Sequence, residues 1–98
     1  MTSRPQKSIV LRLYVAGDGP NSTEARRNIA AFLADMPERQ VRVEIIDVLV
    51  HPHRGIADGI IVTPTLVRVG RRPPLRIVGN LRGRSELLAA LLAESEEV

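Results

Sequence analysis

Ile60-Ile61-Val62-Thr63-Pro64-Thr65-Leu66-Val67 sets a Thr-Pro-Thr step between two apolar runs, in a chain that has no cysteine. An X-Pro bond adopts cis at modest cost, and a proline leading into a strand takes its first position, where a missing N–H is tolerated. Beyond it, Leu66-Val67-Arg68-Val69 and Leu75-Arg76-Ile77-Val78 read as two short strands. The Gly-Arg-Arg-Pro-Pro between them suits an antiparallel hairpin. Leu87, Leu88, Leu91 and Leu92 then mark the apolar face of a last helix over residues 84–94. Before the Thr-Pro-Thr step, Pro52, Gly55 and Gly59 allow at most a short helix over 53–58.

The N-terminal half has a clearer rhythm. Ile9, Leu11, Leu13 and Val15 alternate with Val10, Arg12 and Tyr14, the period of a strand. Ala16-Gly17-Asp18-Gly19-Pro20 is a turn, and Asn21 with Glu24 three residues on predicts a capping box at a helix start. Ala25, Ile29, Phe32, Leu33 and Met36 fall on one helical stripe, which Pro37 ends. Val41, Val43 and Ile45 then alternate with Arg42 and Glu44 before Ile46-Asp47-Val48 close a second strand. A strand, one helix and a strand make a right-handed crossover, so the two strands should be parallel neighbours. The full order is βαβαββα: an α/β, thioredoxin-like chain with a mixed four-stranded sheet and helices on its faces.

At 98 residues the chain has room for one core. Tyr14 and Phe32 are its only aromatic residues, so packing falls to branched aliphatics. Without cysteine there is no disulfide, thiolate metal site or thiol nucleophile, which removes the redox chemistry that the backbone pattern would invite. No 18-residue apolar span occurs, and Arg12 interrupts the first apolar run, so neither a signal peptide nor a membrane span is expected and a cytoplasmic location is. Residues 1–84 carry a net charge of +7, and Glu86, Glu94, Glu96 and Glu97 make the end acidic. Such a body could attract an acidic partner. Nucleic acid is disfavoured, because stacking aromatics are missing and no basic cluster exceeds Arg71-Arg72.

Few residues invite chemistry. His51-Pro52-His53 with Asp47 or Asp58 could be drawn as a metal site, but the intervening proline restricts it and no third strong ligand has a motif spacing; a surface loop is the better reading. Gly17-Asp18-Gly19 precedes a helix start, where N–H groups can hold an anion, yet it lacks the rest of either phosphate-binding fingerprint and reads as a tight turn. Asp35 and Glu38 read as solvated, and no Ser/His/Asp arrangement is present. No catalytic residue, metal or cofactor is therefore assigned.

Taken together, Leu11-Arg12-Leu13-Tyr14-Val15-Ala16-Gly17, Pro20-Asn21-Ser22, Ile46-Asp47-Val48-Leu49, Pro52, Ile60, Thr63-Pro64-Thr65-Leu66, Arg76-Ile77-Val78-Gly79 and Leu81 resemble the KaiB family of circadian clock proteins, ungapped over residues 9–92. The resemblance implies a non-enzymatic adaptor that binds a hexameric KaiC-like ATPase and can compete with a sensor histidine kinase. It also implies fold switching between a βαββααβ ground state, self-associated as a dimer or tetramer, and a thioredoxin-like βαβαββα monomer. On that basis the chain is one domain: a tail over 1–8, an invariant βαβ half over 9–48, a switchable half over 49–93 and an acidic tail over 94–98. Pro64, Pro73 and Pro74 belong to the rebuilt half. Ala90 and Leu92 replace a Gly and an Asp typical of cyanobacterial members, and Ala is favoured over Gly in a helix by about 1 kcal/mol. That bias favours the thioredoxin-like state.

Arg27, Asp58, Arg68 and Arg76 are carried over as partner contacts. Gly59 stands where the family has a KaiC-facing lysine, and Arg71-Arg72 replace prolines. These departures suit a reduced clock, or a sensor or stress-response module outside a full clock. A glutathione-transferase-like or peroxidase-like enzyme is disfavoured, since Asp18 to Asn21 offer no thiol.

Overall fold

The structure, a computed structural model, describes residues 9–35, 41–70 and 74–83. Within them the order is β1 (Ile9–Val15), α1 (Pro20–Ala34), β2 (Val41–Asp47), α2 (Pro52–Ala57), β3 (Thr65–Arg68) and β4 (Leu75–Val78). The predicted last helix, with Ala90 and Leu92, lies outside the described residues, as do Met36 and Pro73.

The four strands form one sheet in the order β2-β1-β3-β4. β1 and β2 are parallel, as the crossover argument requires; β1 with β3, and β3 with β4, are antiparallel. After β2 the chain enters a helix, so the described elements follow the thioredoxin-like order and not βαββααβ.

Alternation along β1 divides the core between two faces. Leu11, Leu13 and Val15 are buried with Ala25 and Ile29 of α1 and with Leu66, while Phe32 and Leu33 pack against the cluster. Tyr14, Ile46 and Val67 form a second cluster on the other face, closed by Val48 and Ile60 at the two ends of α2. Gly55 lets α2 approach: a Cβ there would stand 3.0 Å from Cγ1 of Val48.

The helix start differs from expectation. Gly19 is the N-cap, with Pro20 opening the helix and no side-chain capping bond, so the box of Asn21 and Glu24 does not form. Proline's fixed φ suits the first helical position and starts the helix earlier than Asn21 would. Asn21 Oδ1 instead accepts from Nδ2 of Asn80 at 3.4 Å, and Ser22 Oγ accepts the Ala16 N–H at 3.2 Å. α2 and β3 each begin one residue earlier than their patterns indicate, and Pro64, after a cis Thr63-Pro64 bond, directly precedes β3.

Candidate functional site

A strand with one apolar face must put its intervening residues on the other. In β1 these are Val10, Arg12 and Tyr14, and the register draws Glu44, Arg12, Val67 and Arg76 into one row across all four strands on the face that carries α2. Asp58, the residue after α2, reaches down to this row. Its Oδ2 accepts from the Tyr14 hydroxyl and from Nη1 of Arg12 at 3.2 Å. Arg12 Nε also donates to Glu44 Oε1 at 3.2 Å, and Arg54 of α2 donates to Glu44 Oε2 at 2.9 Å. From β4, Arg76 donates to the carbonyl oxygens of Asp58 at 2.6 Å and Gly59 at 3.2 Å.

The network shifts its members in opposite directions. The Tyr14 hydrogen bond, then Arg12, holds the Asp58 carboxyl below its usual 3.8 against the opposing effect of desolvation. Burial, followed by the bond to Asp58, pushes the Tyr14 phenol above 10.0. Glu44 lies below 4.5 because of the Arg54 hydrogen bond first, with Arg12 adding to it. These groups stay charged, apart from the phenol, across the neutral range. Such an arrangement fixes α2 to the sheet and provides no base near neutrality.

Beside the row lies a cleft of about 140 Å³, lined by residues that include Arg12, Asp58, Val67, Arg68, Pro74 and Arg76. Three of the four expected partner contacts, Asp58, Arg68 and Arg76, thus share one cleft, which Pro74 helps to line. Strand alternation nevertheless separates them: Arg68 sits in register with Leu11 and Leu75, in the row of the opposite face. Arg27 is not brought to this cleft; it is exposed on α1, the helix that packs against that opposite face. Sequence reasoning missed Arg12, Tyr14, Glu44 and Arg54. Polar residues opposite an apolar strand face, placed next to Arg42 and Glu44 by a parallel register, were the available signal.

The other candidates are structural. Asp47 Oδ1 accepts the N–H groups of Gly17 at 3.0 Å and Leu49 at 2.9 Å, which holds its carboxyl below 3.8. Gly17, at φ +62°, forms the turn expected of Gly17-Asp18-Gly19. His51 and His53 are exposed at the start of α2, and among the described residues no three His, Asp or Glu side chains converge as a metal site. The surface around α2 is instead conspicuously aliphatic: Leu49 is 70% exposed, Ile56 78% and Ile61 92%, with Val50 and Val62 also exposed.

This is a thioredoxin-like domain whose polar site is an ion-pair network rather than a thiol centre. The chain belongs to the KaiB family: the KaiB domain matches residues 12–92. The circadian clock oscillator protein KaiB of Prochlorococcus marinus is 38% identical over 87 residues, covering 89% of this chain and 73% of that protein. The KaiB of Thermosynechococcus vestitus is 38% identical over 93 residues, covering 95% of this chain and 86% of its own length. Among solved structures, the N-terminal domain of Synechococcus elongatus SasA matches with a TM-score of 0.71 at 21% identity, covering 100% of this chain and 98% of that one. Thioredoxin from Trypanosoma brucei brucei matches with a TM-score of 0.72 at 12% identity, over 89% and 77% of the two chains. Both structural likenesses bear on the fold alone.

Proposed function

We propose that this chain is a non-enzymatic, cytoplasmic adaptor that binds a hexameric KaiC-like ATPase and modulates its phosphorylation and ATPase cycle in a circadian or timer-like system. The observation that carries the reading is the exposure of Leu49, Val50, Ile56, Ile61 and Val62 around α2, in a family member that has no thiol to place there. Exposed aliphatics concentrated in one segment favour a partner surface, since leaving them in water is unfavourable. The thioredoxin-like form is the binding-competent one on this reading, and residues 49–93 are the half that would be rebuilt on switching. Asp58 and Arg76 contribute as the polar rim, with Arg68 at the same cleft and Arg27 on the α1 side of the sheet.

Co-elution with the KaiC-like ATPase of the same host, with ATP present, tests this. Ile61→Asp should abolish the complex while leaving the melting temperature within a few degrees, because Ile61 is 92% exposed. Unchanged co-elution of that variant would remove the α2 surface from the interface, and an absence of any complex would remove the adaptor reading.

A second reading, a sensor or stress-response module outside a full clock, is favoured by the local chemistry at Gly59. Where the resemblance leads one to expect a partner-facing lysine, Gly59 stands at φ +66° with its carbonyl tied to Arg76.

A further inference from the structure

Asp-Gly occurs twice in this chain, at Asp18-Gly19 and at Asp58-Gly59. The dipeptide can modify itself, because glycine leaves its own amide nitrogen open to approach and that nitrogen can close a five-membered ring on the aspartyl Cγ. Closure needs a carboxyl group that can turn back over the chain and a peptide that can rotate to meet it. Asp58-Gly59 has neither freedom. Its side chain is 30% exposed, and the Tyr14 hydroxyl, then Arg12, hold its carboxyl below the usual range, disfavouring the protonated form that loses water. The Gly59 N–H, the nucleophile, donates to the Ile56 carbonyl at 3.0 Å, and Arg76 pins the carbonyls of Asp58 and Gly59 at 2.6 and 3.2 Å. Asp18-Gly19 lies in the turn before α1, with the Asp18 side chain 94% exposed. Among the described residues, Arg26 Nη1 donates to its Oδ1 at 3.2 Å and the Thr23 hydroxyl to its backbone carbonyl at 3.3 Å, both at the surface. Contacts of this kind restrain little. Gly19 has φ −59°, which any residue adopts, and a Cβ there would meet only the Ala16 carbonyl oxygen, at 4.0 Å.

We infer that Asp18-Gly19 is a site of spontaneous aspartyl isomerisation, and that the fold shields the same step at Asp58-Gly59. The Gly19 nitrogen attacks Cγ of Asp18: the N–Cγ bond forms, the Cγ–OH bond breaks, and one water leaves with the amide proton. Water then opens the succinimide. Addition at Cγ restores aspartate, whereas addition at the backbone carbonyl carbon routes the main chain through Cγ and leaves the α-carboxylate free. No oxidant or reductant enters, and the mass of the chain is unchanged. The product carries one extra methylene in its backbone. It falls between Gly17, whose N–H is tied to Asp47, and Gly19, whose carbonyl accepts the Thr23 N–H at 2.9 Å, so the start of α1 must shift to take it. The freed α-carboxylate belongs to the class of group that S-adenosylmethionine-dependent isoaspartyl methyltransferases esterify.

Prolonged incubation of the folded chain in neutral buffer, followed by tryptic mapping with electron-transfer fragmentation, tests this. Cleavage after arginine puts the two steps in separate peptides, residues 13–26 and 55–68. Isoaspartate should accumulate in 13–26 about tenfold or more faster than in 55–68, because reaction at Asp58 waits for local opening that breaks several hydrogen bonds. In concentrated urea the two rates should become comparable. Asp18→Glu, which can close only a larger and slower-forming ring, should abolish the product in 13–26. Gly19→Ala should slow it, since a side chain after the aspartate hinders the attack. Should Gly19→Ala lower the thermal midpoint, Asp18→Glu decides alone, because it keeps the charge that faces Arg26. No isoaspartate in 13–26, or equal accumulation in the two peptides of the folded chain, overturns the proposal. Persistence of the product in Asp18→Glu also overturns it, by assigning the signal to deamidation of Asn21, which changes the mass. A disparity that survives in urea overturns the shielding of Asp58, since it would then belong to the local sequence and not to the fold.

Discussion

Asp58 receives the Tyr14 hydroxyl and the Arg12 guanidinium on one oxygen while its backbone carbonyl receives Arg76, so a single residue joins β1, α2 and β4. Removing the hydroxyl takes away one of the two side-chain donors that the carboxylate has among the described residues. Tyr14→Phe should therefore lower unfolding free energy by about 1 kcal/mol, measured by urea denaturation. The folded Asp58 binds its proton less readily than the unfolded chain does. Its stabilising contribution is thus complete above about pH 4 and disappears as pH falls through its lowered folded value. Glu44 adds to the same acid limb. Urea midpoints measured between pH 6 and pH 2.5 should fall toward acid in the parent chain, and less steeply in Asp58→Asn. An identical slope in the two proteins would assign the acid sensitivity to other carboxylates.

Among the elements, α2 depends on close approach more than on intrinsic helicity, since Gly55 within its six residues lowers helix propensity. Gly55→Val would press a branched side chain onto Val48, already 3.0 Å from where a Cβ would stand. A loss of about 1 to 3 kcal/mol is expected, read from chemical denaturation. In β1, Leu13→Ala should cost about 2 to 5 kcal/mol, because Leu13 is fully buried between α1 and the neighbouring strands. The strong periodicities of β1, α1 and β2 made these elements and their parallel pairing legible from sequence, because burial on one face imposes a regular spacing. α2 was legible only as a weak segment, for Pro52, Gly55 and Gly59 disrupt any pattern. The capping box was misread because Pro20 occupies the first helical position and displaces Asn21 inward. Of the Arg12–Glu44–Arg54–Asp58 network, strand alternation and the parallel register signalled only that Arg12 lies beside Glu44; its closure through Asp58 was not legible. It depends on contacts up to 46 positions apart, which no local spacing encodes.

For the molecule as a whole, Arg76 is the side chain that straps the β3–β4 hairpin to the turn after α2. If the second half of the chain has two packings, this strap stabilises the thioredoxin-like one. Arg76→Ala should then shift the balance away from it by about 0.5 to 1.5 kcal/mol, visible in amide NMR as weakened cross-strand signals between Val67 and position 76. Unaltered signals, with an unaltered melting curve, would show that the strap does not govern the choice.

The strand order β2-β1-β3-β4 has a kinetic consequence as well. Among the described residues β1 and β3 are laddered on both flanks, whereas β2 and β4 each pair with a strand on one side only. Deuterium should accordingly enter the rims first and the middle pair last, with the slowest amides at Leu11 and Leu13 following the opening of the entire domain.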